Sequence, residues 1–459
     1  MRTRERIAIG FLTASVLATV ALGSAAAYSL VHGNSPQLVA TQAGAAGGTS
    51  GTLATAPPTA STSAGGGSAG AGGGTQSAAA AAAAGSQQNF VRNGVLTVGG
   101  IYDEQGPVDA TVERDTVRAY FDQVNAAGGV NGYKLQLLDC DSAWDTSKAH
   151  SCSEQLISQG ILAIVGWTSV SGEQPETSYL TKNGIPIFGG LGVDAEFTTP
   201  LSFPVGAPLG RGGYATGLRA CQLGLKNPGI VYLQANFAAS LKDGILAGLK
   251  SCGITPQDVQ GVDIASQQDY TTIVTPMQEH GDGAVIGALD PFSYGRLFQA
   301  MERQHFTPPV LGGGLDKTSA EAGYGSVLQG AYSLVGLEEP VGHTGNPAMA
   351  DYLNTVRRYY PSQVAALDTY SQAQWVAAHV FVDALKSIRG PVTRASLIAA
   401  AQNLQNVNTG GLTPLLSYAH GRNNDPSHSV QWMHNQDGKA DGWVTDSGWV
   451  TINYTPCYC

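Results

Sequence analysis

The sequence predicts an α/β fold of two Rossmann-like lobes with parallel sheets, joined by a three-crossing hinge. Three observations lead there. Residues 96–139 read as strand, loop, helix and strand, a single βαβ unit expected to be parallel and right-handed. A second alternating βα series starts at Tyr214, after a short strand at 202–205 bounded by Pro200 and Pro208. Helical segments at 348–359 and 369–387 then precede turn-separated β-like runs at 430–433, 442–444 and 449–452. Two successive series mean two lobes rather than one oversized sheet. The late helices return to the first lobe and the β-like tail closes the second. Lobe 1 is therefore expected at 94–207 plus about 338–418, and lobe 2 at 208–337 plus about 419–459.

The elements follow in order. An apolar run at 96–101 ends in the polar loop 102–107, and Val117, Tyr120, Phe121 and Val124 then share one helical face. Gly128 and Gly129 stop that helix, because glycine takes the left-handed conformation that releases a helix end. A second apolar run at 135–138 delivers Asp139 and Asp141. Residues 146–159 read as a helix with Asp145 as N-cap, 161–166 as a buried strand, 173–183 as a helix and 185–188 as a strand. In the second series, strands at 229–233, 261–264, 283–288, 309–311 and 330–334 alternate with helices at 211–223, 238–251, 270–280 and 291–304. Ligands of open parallel sheets sit beyond the carboxyl ends of the strands. Gln105, in the 102–107 loop, and Trp167, where 161–166 opens into a hydroxyl-rich loop, stand at such ends and are candidate ligand contacts.

Only 13% of the 459 residues are charged, and 60 are glycine. Residues 33–93 form an Ala/Gly/Ser/Thr/Pro-rich stretch unable to bury enough apolar surface to offset its ordering entropy; it reads as a flexible tether. Ahead of it, Arg2, Arg4 and Arg6 precede an uncharged apolar stretch at 7–30, and Ala25, Ala26 and Ala27 offer a cleavage site. Residues 1–32 are thus a secretory signal or, being long enough to span a bilayer, a retained anchor. No cysteine precedes Cys140 to carry a lipid. The net charge of −10 argues against nucleic acid as a partner.

Residues 125–139, Asn-Ala-Ala-Gly-Gly-Val-Asn-Gly followed by a strand ending in Asp-Cys-Asp, resemble the leucine/isoleucine/valine-binding proteins, of the type I periplasmic binding fold. The resemblance runs from about Val95 to near the C-terminus. It implies that Ser169 falls on the family's ligand-contacting serine and Gly190 on the position that binds ligand through its backbone. Gly192 stands where the family has a hydroxyl-bearing threonine. Phe237 stands where a tyrosine covers the ligand, and Asp316 is the nearest acid to the group that neutralises a ligand ammonium. Two family contacts are thus missing, so an amino acid and a less polar or differently charged molecule are equal candidates.

Other motifs fail on their own chemistry. Residues 312–318 have the outline of a phosphate loop, but Asp316 occupies the place of a required glycine. Residues 437–442 outline a calcium loop, but Lys439 stands at a ligand position; a hairpin turn is expected. The nine histidines are dispersed, with no i, i+4 pair for zinc. The six cysteines suit an exported protein. Cys140 and Cys152 read as one disulfide across a short loop and Cys221 and Cys252 as another, leaving Cys457 and Cys459, whose direct bridge would be strained.

The expected function is an exported, monomeric substrate-binding protein of an ABC transporter. It closes on a branched-chain amino acid or related small solute and presents it to a permease, without catalysis or cofactor. An extracytoplasmic sensing module feeding a receptor is the alternative. An exported α/β hydrolase, a third class, lacks a nucleophile elbow.

Overall fold

The computed structural model describes residues 89–107, 109–264, 266–317, 325–335, 337, 345–419, 425–439 and 442–458. The expected signal or anchor at 1–32 and the tether up to 88 lie outside the described residues. Asn89 to Asn93, assigned to the tether by composition, instead belong to the fold. Phe90 is buried, and Val91–Arg92 pairs antiparallel with Val95–Tyr102. The turn between them is Asn93-Gly94 with φ of 52° and 76°, the left-handed pair that two-residue hairpins need.

The 125–139 motif does three jobs in sequence. Helix Thr111–Ala126 ends ahead of Gly128 and Gly129, whose φ values are 108° and 82°. Asn131-Gly132 makes a second left-handed turn, closing the Val130–Tyr133 bridge. The Asn125 side chain then bonds the backbone of Leu135 in both directions, at 2.8 and 2.9 Å, setting the start of strand Lys134–Asp141. That strand runs parallel to Val95–Tyr102 over eight residue pairs.

Lobe 1 is completed by the parallel strands Ile164–Thr168, Ile187–Phe188 and Ser202–Phe203. Its main apolar cluster joins Val98, Val165, Phe188 and Phe203 to Trp375, Phe381 and Leu397, so the late helices pack here. Helices Pro347–Tyr359 and Thr369–Ser387 are among them. So is Arg394–Gln402, a helix whose short alanine-rich sequence carries little periodic signal. Lobe 2 has the parallel order Val259–Val262, Pro228–Leu233, Ala284–Ala288, Val310–Gly313 and Tyr332–Val335. Ser429–Asn435 and Trp443–Thr445 extend it antiparallel, with Asn435 paired to Trp443 across the turn expected at 437–442. The lobe 2 sheet is therefore mixed rather than purely parallel. Among the described residues, successive elements change lobe between Phe203 and Pro228, between Val335 and Leu337, and between Tyr418 and Ser429.

Both expected local disulfides are present: Cys140–Cys152 with Cα atoms 5.6 Å apart, and Cys221–Cys252 at 6.4 Å. Among the described residues, no helix is long and apolar enough to cross a membrane.

Candidate ligand-binding cleft

A cavity of about 240 Å³ lies between the lobes, just under the usual ~300–1,000 Å³ of small-molecule sites. Lobe 1 contributes strand-end residues Thr168 and Val170, the loop 190–193 and the start of helix Thr369–Ser387. Lobe 2 contributes Phe237, Leu241, Leu289, Asp290, Gly313 and Lys317, while residues 205–209 of the first crossing form the floor. Most of the lining is aliphatic.

Of the sequence candidates, Gly190, Gly192 and Phe237 line this cavity. Phe237 is half-buried at the start of helix Asn236–Ser251. The other four lie off its wall. Ser169 is buried, with Oγ 2.8 Å from Ser142 Oγ and 3.5 Å from Asp103 Oδ1. Chain alternation explains this, since Thr168 and Val170 face the cavity and the residue between them faces away. Trp167 is buried in the lobe 1 core, its backbone bonded on both sides by Gln374 at 3.0 and 3.3 Å. Gln105 is exposed and donates to Asp141 at 2.7 Å. Asp316 turns to helix Thr369–Ser387, accepting from the Thr369 N–H at 2.9 Å and its hydroxyl at 3.2 Å. It is the next residue, Lys317, that reaches the lining.

The polar groups on the wall are mostly ones that sequence patterning does not mark. Glu173 and Glu196 form a buried carboxyl pair beneath the loop 190–193. Glu173 accepts the Leu191 N–H at 2.9 Å, and Glu196 accepts those of Gly192 and Val193 at 2.5 and 2.9 Å. Burial, and for Glu173 the adjacent Glu196, pushes both carboxyls up. Gly190 is required here, because a Cβ would collide with both carboxylates. Asp290 caps helix Pro291–Arg303, with Oδ1 accepting from Phe292 and Ser293 N–H at 2.9 and 3.0 Å. Its Oδ2 is buried without a hydrogen-bond partner, and burial pushes the carboxyl up. Asp290-Pro291 is an ordinary helix start in sequence, and only the position of that start beside the cleft puts the acid on the cavity wall.

The one cation on the described lining is Lys317, and it is held across the lobes. Its Nζ lies 3.0 Å from Glu113 Oε1 and 2.9 Å from Asp368 Oδ2, with all three side chains buried. Burial pushes Glu113 up to about 7, opposed by Lys317. No group of three or more His, Cys, Asp or Glu that could hold a metal ion occurs among the described residues. A largely apolar space whose walls belong to two lobes can bind a solute by closing on it.

Residues 95–439 match the family model described as periplasmic binding protein. The Leu/Ile/Val-binding protein homolog 3 of Brucella melitensis is 23% identical over 294 residues, covering 62% of this chain and 78% of that protein. Among solved structures, the fatty acid ABC transporter substrate-binding protein from Thermomonospora curvata superposes with a TM-score of 0.70 at 16% identity, over 80% of this chain and 95% of the other. The branched-chain amino acid transporter substrate-binding protein of Streptococcus pneumoniae, in complex with isoleucine, gives 0.63 at 18% identity, over 78% and 99%. With the two-lobed fold and the cleft between its halves, this makes the chain a type I periplasmic binding protein of the leucine/isoleucine/valine-binding protein family, a family of binding proteins rather than enzymes.

Proposed function

We propose that the protein is the extracytoplasmic substrate-binding component of an ABC transporter, taking up a small organic solute and presenting it to a permease. The observation that carries this reading is the cavity itself, since both lobes and the hinge supply its walls. A ligand there gains its full set of contacts only when the lobes are together, and ligand binding then biases the hinge toward closure. Gly190, Gly192 and Phe237 are the direct contacts in this reading. Ser169 and Asp316 act from behind the wall, by ordering the loops around Asp103 and Thr369, and Trp167 and Gln105 support the strand ends.

The test is a thermal melt of the purified protein against a solute library, followed by uptake in proteoliposomes with the permease encoded nearest to its gene. A saturable rise in Tm with one solute class, and transport of that class only when the protein is present, is the expected result. A protein that binds no solute, or binds one and does not stimulate uptake, would refute the reading.

A further inference from the structure

We infer that the ligand is a small apolar molecule bearing an N–H donor group, an amine or amide, and carrying no carboxylate. This rests on the solute-binding reading above and narrows it. Most of the backbone and charged groups that would hold an acid are already turned onto the protein's own carboxylates. The three successive N–H groups of Leu191, Gly192 and Val193 go to Glu173 and Glu196. The Ser169 hydroxyl and the Val170 N–H, at the neighbouring strand end, face Asp103, the latter at 2.8 Å. Lys317 sits between Glu113 and Asp368.

What the cavity offers instead is acceptors. Asp290, 4% exposed, presents an unpartnered Oδ2 on the lobe 2 side. Glu113, fully buried, has an unpartnered Oε2 on the lobe 1 side. Both belong to the cavity wall. A buried acceptor without a donor is costly, and a ligand N–H would supply one. A ligand carboxylate would add charge beside Glu113, Glu196 and Asp290 with no unengaged cation among the described lining residues. The fatty acid named for one structural neighbour above and the isoleucine bound to the other are carboxylates, so on this inference the cleft differs from theirs in the charge it accepts.

The experiment measures melting and calorimetric titration of the full chain with four compounds sharing one isobutyl body: 3-methylbutylamine, 3-methylbutanamide, 3-methylbutanoate and leucine. Saturable binding by the amine or the amide, at least about tenfold tighter than by either acid, is expected, the gain of one charge-assisted hydrogen bond. Asp290→Asn keeps a capping side chain and should weaken the amine about tenfold or more while leaving unliganded melting close to wild type. Equal or tighter binding of the butanoate or leucine would overturn the inference and leave the solute-binding reading intact. If none of the four binds, equal sets of larger amines, amides and acids decide. Hits among the acids overturn the inference, and no hit in any set overturns the solute-binding reading with it.

Discussion

Gly190 and Phe237 test the cleft one residue at a time. A methyl at Gly190 would fall on the Glu173 and Glu196 carboxylates, whose bonds to the next three N–H groups hold the loop. Gly190→Ala should therefore lower stability by about 1–3 kcal/mol, the usual range for forcing an extra group into a packed site. Urea denaturation checks this, and an unchanged midpoint would mean that the loop is not held by the pair. Phe237 is half-buried, lines the cavity and packs against the lobe 2 core from its edge. Phe237→Ala should cost the unliganded protein roughly 1–2 kcal/mol, less than the ~3–5 of a core ring. It should remove most of the ligand-induced stabilisation, ~2.7 kcal/mol at a hundredfold excess over Kd. A core-sized loss without ligand would assign the ring to the sheet edge instead.

Between elements, the closest packing is that of helices Leu209–Gln222 and Asn236–Ser251. Gly213 and Gly217 face Gly244 and Gly248, and a Cβ at any of the four would strike backbone of the other helix. The i, i+4 glycines allow that approach, and Cys221–Cys252 ties the pair where the second helix ends. Gly217→Val should destabilise by about 3 kcal/mol or more, combining overpacking with separation of the helices. Reduction should cost up to about 3 kcal/mol for Cys140–Cys152, spanning 12 residues, and up to about 4 for Cys221–Cys252, spanning 31. Melts with and without reductant, with non-reducing peptide mapping, measure it; no change in Tm would mean that packing alone holds these elements.

At the scale of the molecule, Lys317 holds lobe 2 against two lobe 1 carboxylates. Lys317→Met leaves Glu113 and Asp368 buried without their cation, a change that typically costs about 3–5 kcal/mol. Solution scattering should then show a more open pair of lobes. A wild-type scattering profile would show that the lobes are held elsewhere. The same charges set a pH dependence. Burial raises Glu113 to about 7, Asp316 to about 6 and Asp282, beside Asp258, to about 7. Between about pH 4 and 7 the folded chain binds these protons and the unfolded chain does not, so stability falls as pH rises through that window. Tm should be higher at pH 5 than at pH 8, and Glu113→Gln should flatten part of the slope. A Tm that rises from pH 5 to 8 would contradict the assignment.

Local patterning by itself determined most of the order of elements, the two-lobed architecture and both described disulfides, but neither strand Val91–Arg92 nor helix Arg394–Gln402. Each follows from contacts close in sequence or from a periodicity that only one kind of element satisfies. Asn125 to Gly132 is the clearest case, since every turn there needs a residue that tolerates positive φ. Gly190, Gly192 and Phe237 were reached through the family resemblance rather than through spacing or periodicity, and they line the cavity. Tertiary structure alone decided which polar groups face the cavity. Ser169 and Asp316 differ from their cavity-lining neighbours by one residue, and that step reverses a side chain from the cleft to the interior. Glu113, Glu196, Asp290 and Lys317 come from four separate segments across both lobes, each unremarkable in its own helix or loop. Their meaning is their mutual distance, and no spacing along the chain encodes a distance that arises only when two lobes meet.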